Sequence, residues 1–199
     1  MALYVSLMVI RITFRARHHD IRRRLINPEE GVGNIVARWA LGTLTVAAIA
    51  AYFVAPRRLA WFFVPLPIGV RVAAVAGSAC CLGLLVWSHV TLDSQFTSTL
   101  KLGSHHQLVT AGPYRFVQHP IYVSFFGLFL FTGVFTRAWP IGTLGMLTIG
   151  TLMTTRRVRE EAMLRERHGT QYEIYQSETS RFVPLKAMAR AFRGSEASQ

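Results

Sequence analysis

The sequence predicts an all-α, multi-pass integral membrane protein of about five transmembrane helices, with a cytoplasmic cofactor-sized loop and a C-terminal helical segment beside it. Three observations lead there. Of 199 residues, 51% are hydrophobic and only 16% charged, against about a quarter charged in a typical soluble domain. The apolar residues gather into long runs with the basic residues between them. The arginines, finally, divide unevenly between the two sides that those runs separate.

The runs are Ala2 to Phe14, Ile35 to Ala55, Ile68 to Leu92, Ile121 to Phe135 and Ala138 to Thr155. A span needs about 20 residues. The second and third runs meet that length, and the first is short and interrupted by Arg11. It has neither a basic leader nor a small-residue cleavage pattern, so it reads as a retained membrane segment. The last two are joined across Thr136 to Pro140 as a helical hairpin, in which Pro140 suits a first helical turn, Arg137 snorkels and Trp139 sits at the interface. Loops rich in arginine and lysine stay in the cytoplasm. Five spans with the C-terminus inside place Arg15, Arg17, Arg22 to Arg24, Lys101, Arg115 and the basic tail there. The other side keeps Arg57, Arg58, Arg71 and Arg137. All 10 acidic residues also fall on the cytoplasmic side, which is where chemistry is expected.

The net charge of +12 does not point to nucleic acid, because the basic residues lie between apolar runs rather than on a shared face with aromatics. Anionic headgroups account for it. Cys80 and Cys81 are adjacent in an apolar run and predict neither a disulfide framework nor a cysteine-ligated metal. The histidine pair His18, His19 lacks the company of other ligands, so no metal is expected.

Two cytoplasmic segments are long enough to build a site, Asp93 to Pro120 and Arg156 onward. The first has little helical periodicity and reads as an ordered loop leading into a helix near His119 and Pro120. Gly112 and Pro113 fix a turn, Tyr114 and Tyr122 offer flat faces with polar tips, and histidines lie beside a helix N-terminus. Such a stretch suits either a ligand pocket or an interfacial aromatic belt. The second segment opens as a helix with Glu160, Leu164 and Arg167 or His168 on one face, until Gly169 caps it and Thr170 starts another. Its carboxylate pair and arginines fit a nucleotide-like cofactor and an acidic substrate group, or simply anionic lipid.

At these segments the chain resembles the isoprenylcysteine carboxyl methyltransferase and phospholipid methyltransferase superfamily. The similarity rests on His106, Leu108, Val109, Gly112, Pro113, Tyr114 and Arg115, followed by His119, Pro120 and Tyr122. It continues through Arg156, Glu160, Glu161, Leu164, Gly169, Tyr172, Tyr175 and the run Arg181 to Pro184, so that it covers residues 87 to 184. The resemblance implies a membrane enzyme that holds S-adenosylmethionine between loop and tail and takes a lipid-like acceptor from the bilayer. Cofactor contacts are then expected at His106, Gln107, Leu108, Val109, Tyr114, His119, Pro120, Ile121, Tyr122 and Glu160, and substrate contacts at Arg156 and Gln118. Gln118 departs from the family's arginine, Thr179 and Ser180 from its valine and proline, and Thr99 stands where glutamine occurs.

The function expected is methyl transfer from S-adenosylmethionine to a prenylcysteine carboxylate-type or related amphiphilic acceptor, with membrane lipids as surroundings. Phospholipid N-methylation, a nicotinamide-dependent reductase of the sterol kind, and a non-catalytic membrane scaffold stay open as alternatives. The chain divides into membrane helices with a basic connector (1–86), a methyltransferase-like core (87–184) and a basic, polar tail (185–199). The excess of arginine over lysine suggests a bacterial plasma (inner) membrane with the C-terminus in the cytoplasm.

Overall fold

The structure, a computed structural model, describes residues 32–55, 60–100 and 108–189. The first apolar run, the arginines before residue 32, Arg57, Arg58, Lys101, His106 and Gln107 lie outside the described residues, as do the side chains of Asp93 and Thr99. The described elements are helices: α1 (Val32–Val54), α2 (Ile68–Leu100), a 3-10 turn (Gly112–Arg115), α3 (Pro120–Thr136), α4 (Trp139–His168) and α5 (Thr170–Glu178). No strand occurs among the described residues, and two isolated bridges, Phe63 with Ala138 and Val117 with Ser180, are the strand-like pairings. Among the described residues the fold is all-helical, in keeping with the apolar runs.

Gly33–Val54 and Ile68–Leu92 are long and apolar enough to cross a membrane, and Pro120–Thr136 is a shorter apolar helix. Large apolar side chains on the first two stay exposed, with Val46 at 66% and Val54 at 84%. Rows of exposed valine and tryptophan are costly in water and favourable against lipid tails.

Two boundaries differ from those that hydropathy suggested. α2 continues to Leu100 rather than giving way to a loop at Asp93, and α4 runs unbroken through Thr155 to His168. Hydropathy marks where lipid ends; a backbone already in helical register keeps adding hydrogen bonds beyond that point, since propagation is favourable once a nucleus exists. A helix of 30 residues is about 45 Å long, longer than the roughly 30 Å apolar core of a bilayer. The second half of α4 therefore extends its arginines and glutamates past the apolar stretch.

The fold divides into two compact units. Of the described residues, the first holds those up to Leu82 and 125–155. In it, a Cβ on Gly133 would meet Gly142 Cα at 2.8 Å, so α3 and α4 touch backbone to backbone where both residues are small. Thr45 Oγ1 lies 3.2 Å from Thr148 Oγ1, a polar tie between α1 and α4. The hairpin turns through Arg137, whose φ of 61° is left-handed and costs about 1–2 kcal/mol for a residue with a side chain. Its carbonyl accepts from Val64 N at 3.0 Å and its guanidinium lies 6.0 Å from the Phe63 ring centroid.

The second unit comprises residues 83–124 and 156–199. Here Gly169, at φ 49°, ends α4 and starts α5, which buries Tyr172 and Tyr175 one turn apart. Both histidine and tyrosine from the start of α3, and both glutamates of α4, belong to this unit.

Candidate functional site

The loop into α3 is pressed onto the end of α2. Gly112 has φ +58°, and a Cβ there would sit 2.6 Å from Thr91 Oγ1 and 3.3 Å from Trp87 Nε1. Glycine is required twice over, for its left-handed backbone and for the close approach. Pro113 sets the 3-10 turn that follows, and Tyr114 is buried at its centre. The Tyr175 hydroxyl donates to Tyr114 O at 2.8 Å. Burial pushes both phenols well above their ordinary range, reinforced at Tyr114 by Tyr175 and Glu160 and at Tyr175 by Tyr172, so they act as neutral donors.

After the turn the chain runs extended beside residues 179–181. Gln118 N donates to Ser180 O at 2.9 Å, and His119 N to Arg181 O at 3.2 Å. Gln118 Nε2 adds a third rung, to Thr179 O at 2.6 Å. Pro120 explains why the extended stretch stops there: it disfavours helix at His119 and opens one from its own position. The amide of His119, outside the helix, is thereby released to the tail.

His119 and Tyr122 are three positions apart, so they project together from the start of α3. Glu160 and Glu161 meet them from α4. The Tyr122 hydroxyl lies 3.2 and 3.3 Å from the two carboxylate oxygens of Glu160. His119 Nε2 lies 3.4 Å from Glu161 Oε1, with the two residues 8% and 5% exposed. The same oxygen accepts from Arg157 Nη1 at 3.1 Å and lies 3.9 Å from Arg181 Nε. The His119 ring is flanked by Tyr122 and Phe182, with centroids at 5.6 and 5.7 Å.

Burial lowers the His119 pKa; Glu161 pulls the other way, and the charges of Arg157 and Arg181 add to the lowering. The neutral imidazole is thereby favoured. At Glu161 burial opposes ionisation, but hydrogen bonds from His119 and Arg157 and the two guanidinium charges outweigh it and hold the carboxyl below its usual range. The arrangement offers an ionised carboxylate, a neutral imidazole and a second carboxylate oriented by a phenol, set among aromatic rings. Such a set can bind a ligand rich in N–H and O–H donors.

Residues 74–166 match the family model described as isoprenylcysteine carboxyl methyltransferase (ICMT) family. Over that stretch the chain is similar to this family. The ICMT family is a membrane-integral methyltransferase family, and the two apolar helices fit that. The match takes in His119, Tyr122, Glu160 and Glu161. A comparison with curated proteins gave no match.

Within this matched segment, Tyr114, His119, Pro120, Tyr122 and Glu160 all lie in the second unit, and the contacts above join Tyr114, His119 and Tyr122 to α5, α4 or the tail, with Glu160 the partner of Tyr122 on α4. Leu108, Val109 and Ile121 are half-buried, as is Arg156. Gln118 is 8% exposed, its amide nitrogen spent on Thr179 O and its Oε1 buried without a partner. The sequence offered Glu160 and Glu161 as a carboxylate pair and placed only Glu160 among the cofactor contacts, yet Glu161 is the more deeply buried and pairs with His119 and Arg157. The signal was present: Arg157 and Glu161 are four apart on one helix face. Nothing in the sequence announced that Thr179 and Ser180 would pair with the loop.

Proposed function

We propose that this protein transfers a methyl group from S-adenosylmethionine to a prenylcysteine carboxylate-type or related amphiphilic acceptor at the cytoplasmic face of a bacterial inner membrane. The observation that carries the reading is the double pairing of Tyr122 with Glu160 and His119 with Glu161, inside a segment that matches a methyltransferase family. The two halves of the resemblance, far apart in sequence, supply the two sides of one polar cluster.

The residues suit the methyl donor, which is cationic and carries an ammonium and ribose hydroxyls. A carboxylate has about four lone-pair sites, and Tyr122 takes up part of Glu160's capacity while fixing its direction. Glu160 is then the residue to hold the ammonium or hydroxyls, with Tyr114, His119, Pro120, Ile121 and Tyr122 lining the remainder together with His106, Gln107, Leu108 and Val109. When bound, the donor supplies an electrophilic methyl on a sulfonium. The protein's own part is orientation and exclusion of water, which suffice to make such a transfer effectively intramolecular. Five spans, with residues 93–120 and 156–199 on the arginine-rich side, give an amphiphile access from the bilayer.

One observation favours a second acceptor class, the phospholipid amine. Gln118 supplies no charge where an arginine is usual, and one of its two amide N–H donors is already given to Thr179 O. An acceptor site without that cation suits a neutral or zwitterionic headgroup better than a carboxylate.

Purified protein in nanodiscs, given labelled S-adenosylmethionine and a panel of prenylcysteine analogues and aminophospholipids, tests both readings. Labelled product in one class, lost in Glu160→Ala, is expected. Gln118→Arg should raise the ratio of carboxylate to zwitterionic acceptor methylated, with donor affinity nearly unchanged. No labelled product from any acceptor would remove the transferase reading.

A further inference from the structure

We propose that Glu161 is a positioning residue: its carboxylate, an acceptor only, holds the His119 imidazole with the proton on Nε2, and so keeps the Nδ1 lone pair available to an N–H or O–H of the bound ligand. This rests on the reading that His119 faces the methyl donor.

The geometry leaves little choice of tautomer. Among the described residues, the hydrogen bond to the ring is between Nε2 and Glu161 Oε1 at 3.4 Å. Arg157 Nη1 and Arg181 Nε, at 3.1 and 3.9 Å from that same oxygen, keep the carboxyl ionised. An ionised carboxylate has no proton to give, so a neutral imidazole facing it must be the donor, and a neutral imidazole that donates through Nε2 is an acceptor at Nδ1.

Protonation of both nitrogens is favoured by Glu161 but opposed by burial and by the positive charges beyond it. Arg157 of α4 and Arg181 of the tail already set two guanidinium groups against the single carboxylate of Glu161. Tyr122, in the first turn of α3, is bound to Glu160, and Tyr172 of α5, close to Glu161, is a phenol whose pKa is raised by burial. A third positive charge would sit on a ring 8% exposed, against a carboxylate 5% exposed, where burial disfavours the charged form. The tie also reaches three parts of the chain at once, the start of α3, the charged half of α4 and residue 181, so the ring's plane is fixed as well as its proton.

The test separates positioning from mere stabilisation. In full-length protein in nanodiscs, labelled with 15N-histidine, the His119 signal is assigned by its loss in His119→Asn. Wild type is expected to show a protonated Nε2 and a bare Nδ1 throughout the neutral range. In Glu161→Gln the amide can present either its oxygen or its NH2 to Nε2, so both tautomers are expected, with S-adenosylmethionine binding about tenfold weaker. Glu161→Asp, still acceptor-only, should restore the single tautomer. A bare Nε2 in wild type overturns the proposal without any variant, and equal tautomer populations in wild type and Glu161→Gln overturn it as well. If wild type has no affinity for S-adenosylmethionine, the cofactor reading fails, while the tautomer populations still judge the role of Glu161.

Discussion

Gln118 and His119 are neighbours with opposite fates. The first spends its side chain on the protein itself, donating to Thr179 O and leaving Oε1 buried and unpartnered. Truncation in Gln118→Ala would strand the Thr179 carbonyl and should cost about 1–3 kcal/mol of stability, read as a lower unfolding midpoint in detergent. His119 instead makes stability depend on pH. Its folded pKa lies below the unfolded value of about 6.5. A group of that kind leaves stability intact above pH 6.5 and erodes it as the pH falls from there to the lowered folded pKa, because the unfolded chain takes up the proton first. Glu161, held below its usual range, adds a further loss below about pH 4.5. Unfolding midpoints measured from pH 8 to 5 should fall below 6.5 in wild type, and His119→Asn should flatten that limb. A midpoint that rises on acidification would mean that His119 gains a proton on folding.

At the scale of elements, close packing is concentrated at glycines. Gly112→Ala would impose a Cβ on a left-handed backbone and drive it to 2.6 Å from Thr91 Oγ1; strain and overpacking together should cost about 2–4 kcal/mol. Gly42→Ala, with nothing within 4 Å of the added carbon, serves as the comparison and should be neutral or better within a helix. The helices themselves were legible because apolar runs and caps are local: Ile68, Pro120 and Gly169 mark starts and stops within a residue of where they occur. What was not legible depends on long-range pairing. The extended rungs from Gln118 and His119 to residues 179–181 join segments about 60 apart, and neither segment has a period-2 pattern to reveal it. The prolongation of α2 past Asp93 was hidden for a different reason, since hydropathy reports the solvent and not the backbone.

For the whole molecule, the arginine distribution and the paired motifs make one joint demand: the loop before α3 and the segment after residue 156 must share a side of the membrane. Single cysteines at Ser104 and Ser177, in a chain with Cys80 and Cys81 replaced by alanine, should label with a membrane-impermeant thiol reagent from the same, cytoplasmic side. Labelling from opposite sides would separate the two halves of the cluster. On the proposed function, Glu160, aimed by Tyr122, holds S-adenosylmethionine. Isothermal titration of the full chain in detergent measures this directly, comparing wild type with Glu160→Ala and with Glu166→Ala, an exposed glutamate on the same helix. Loss of one charge-assisted hydrogen bond predicts binding weaker by about 1.5–3 kcal/mol, or roughly one to two decades, in Glu160→Ala alone. Equal affinity in all three proteins, or no binding to wild type, would contradict the claim.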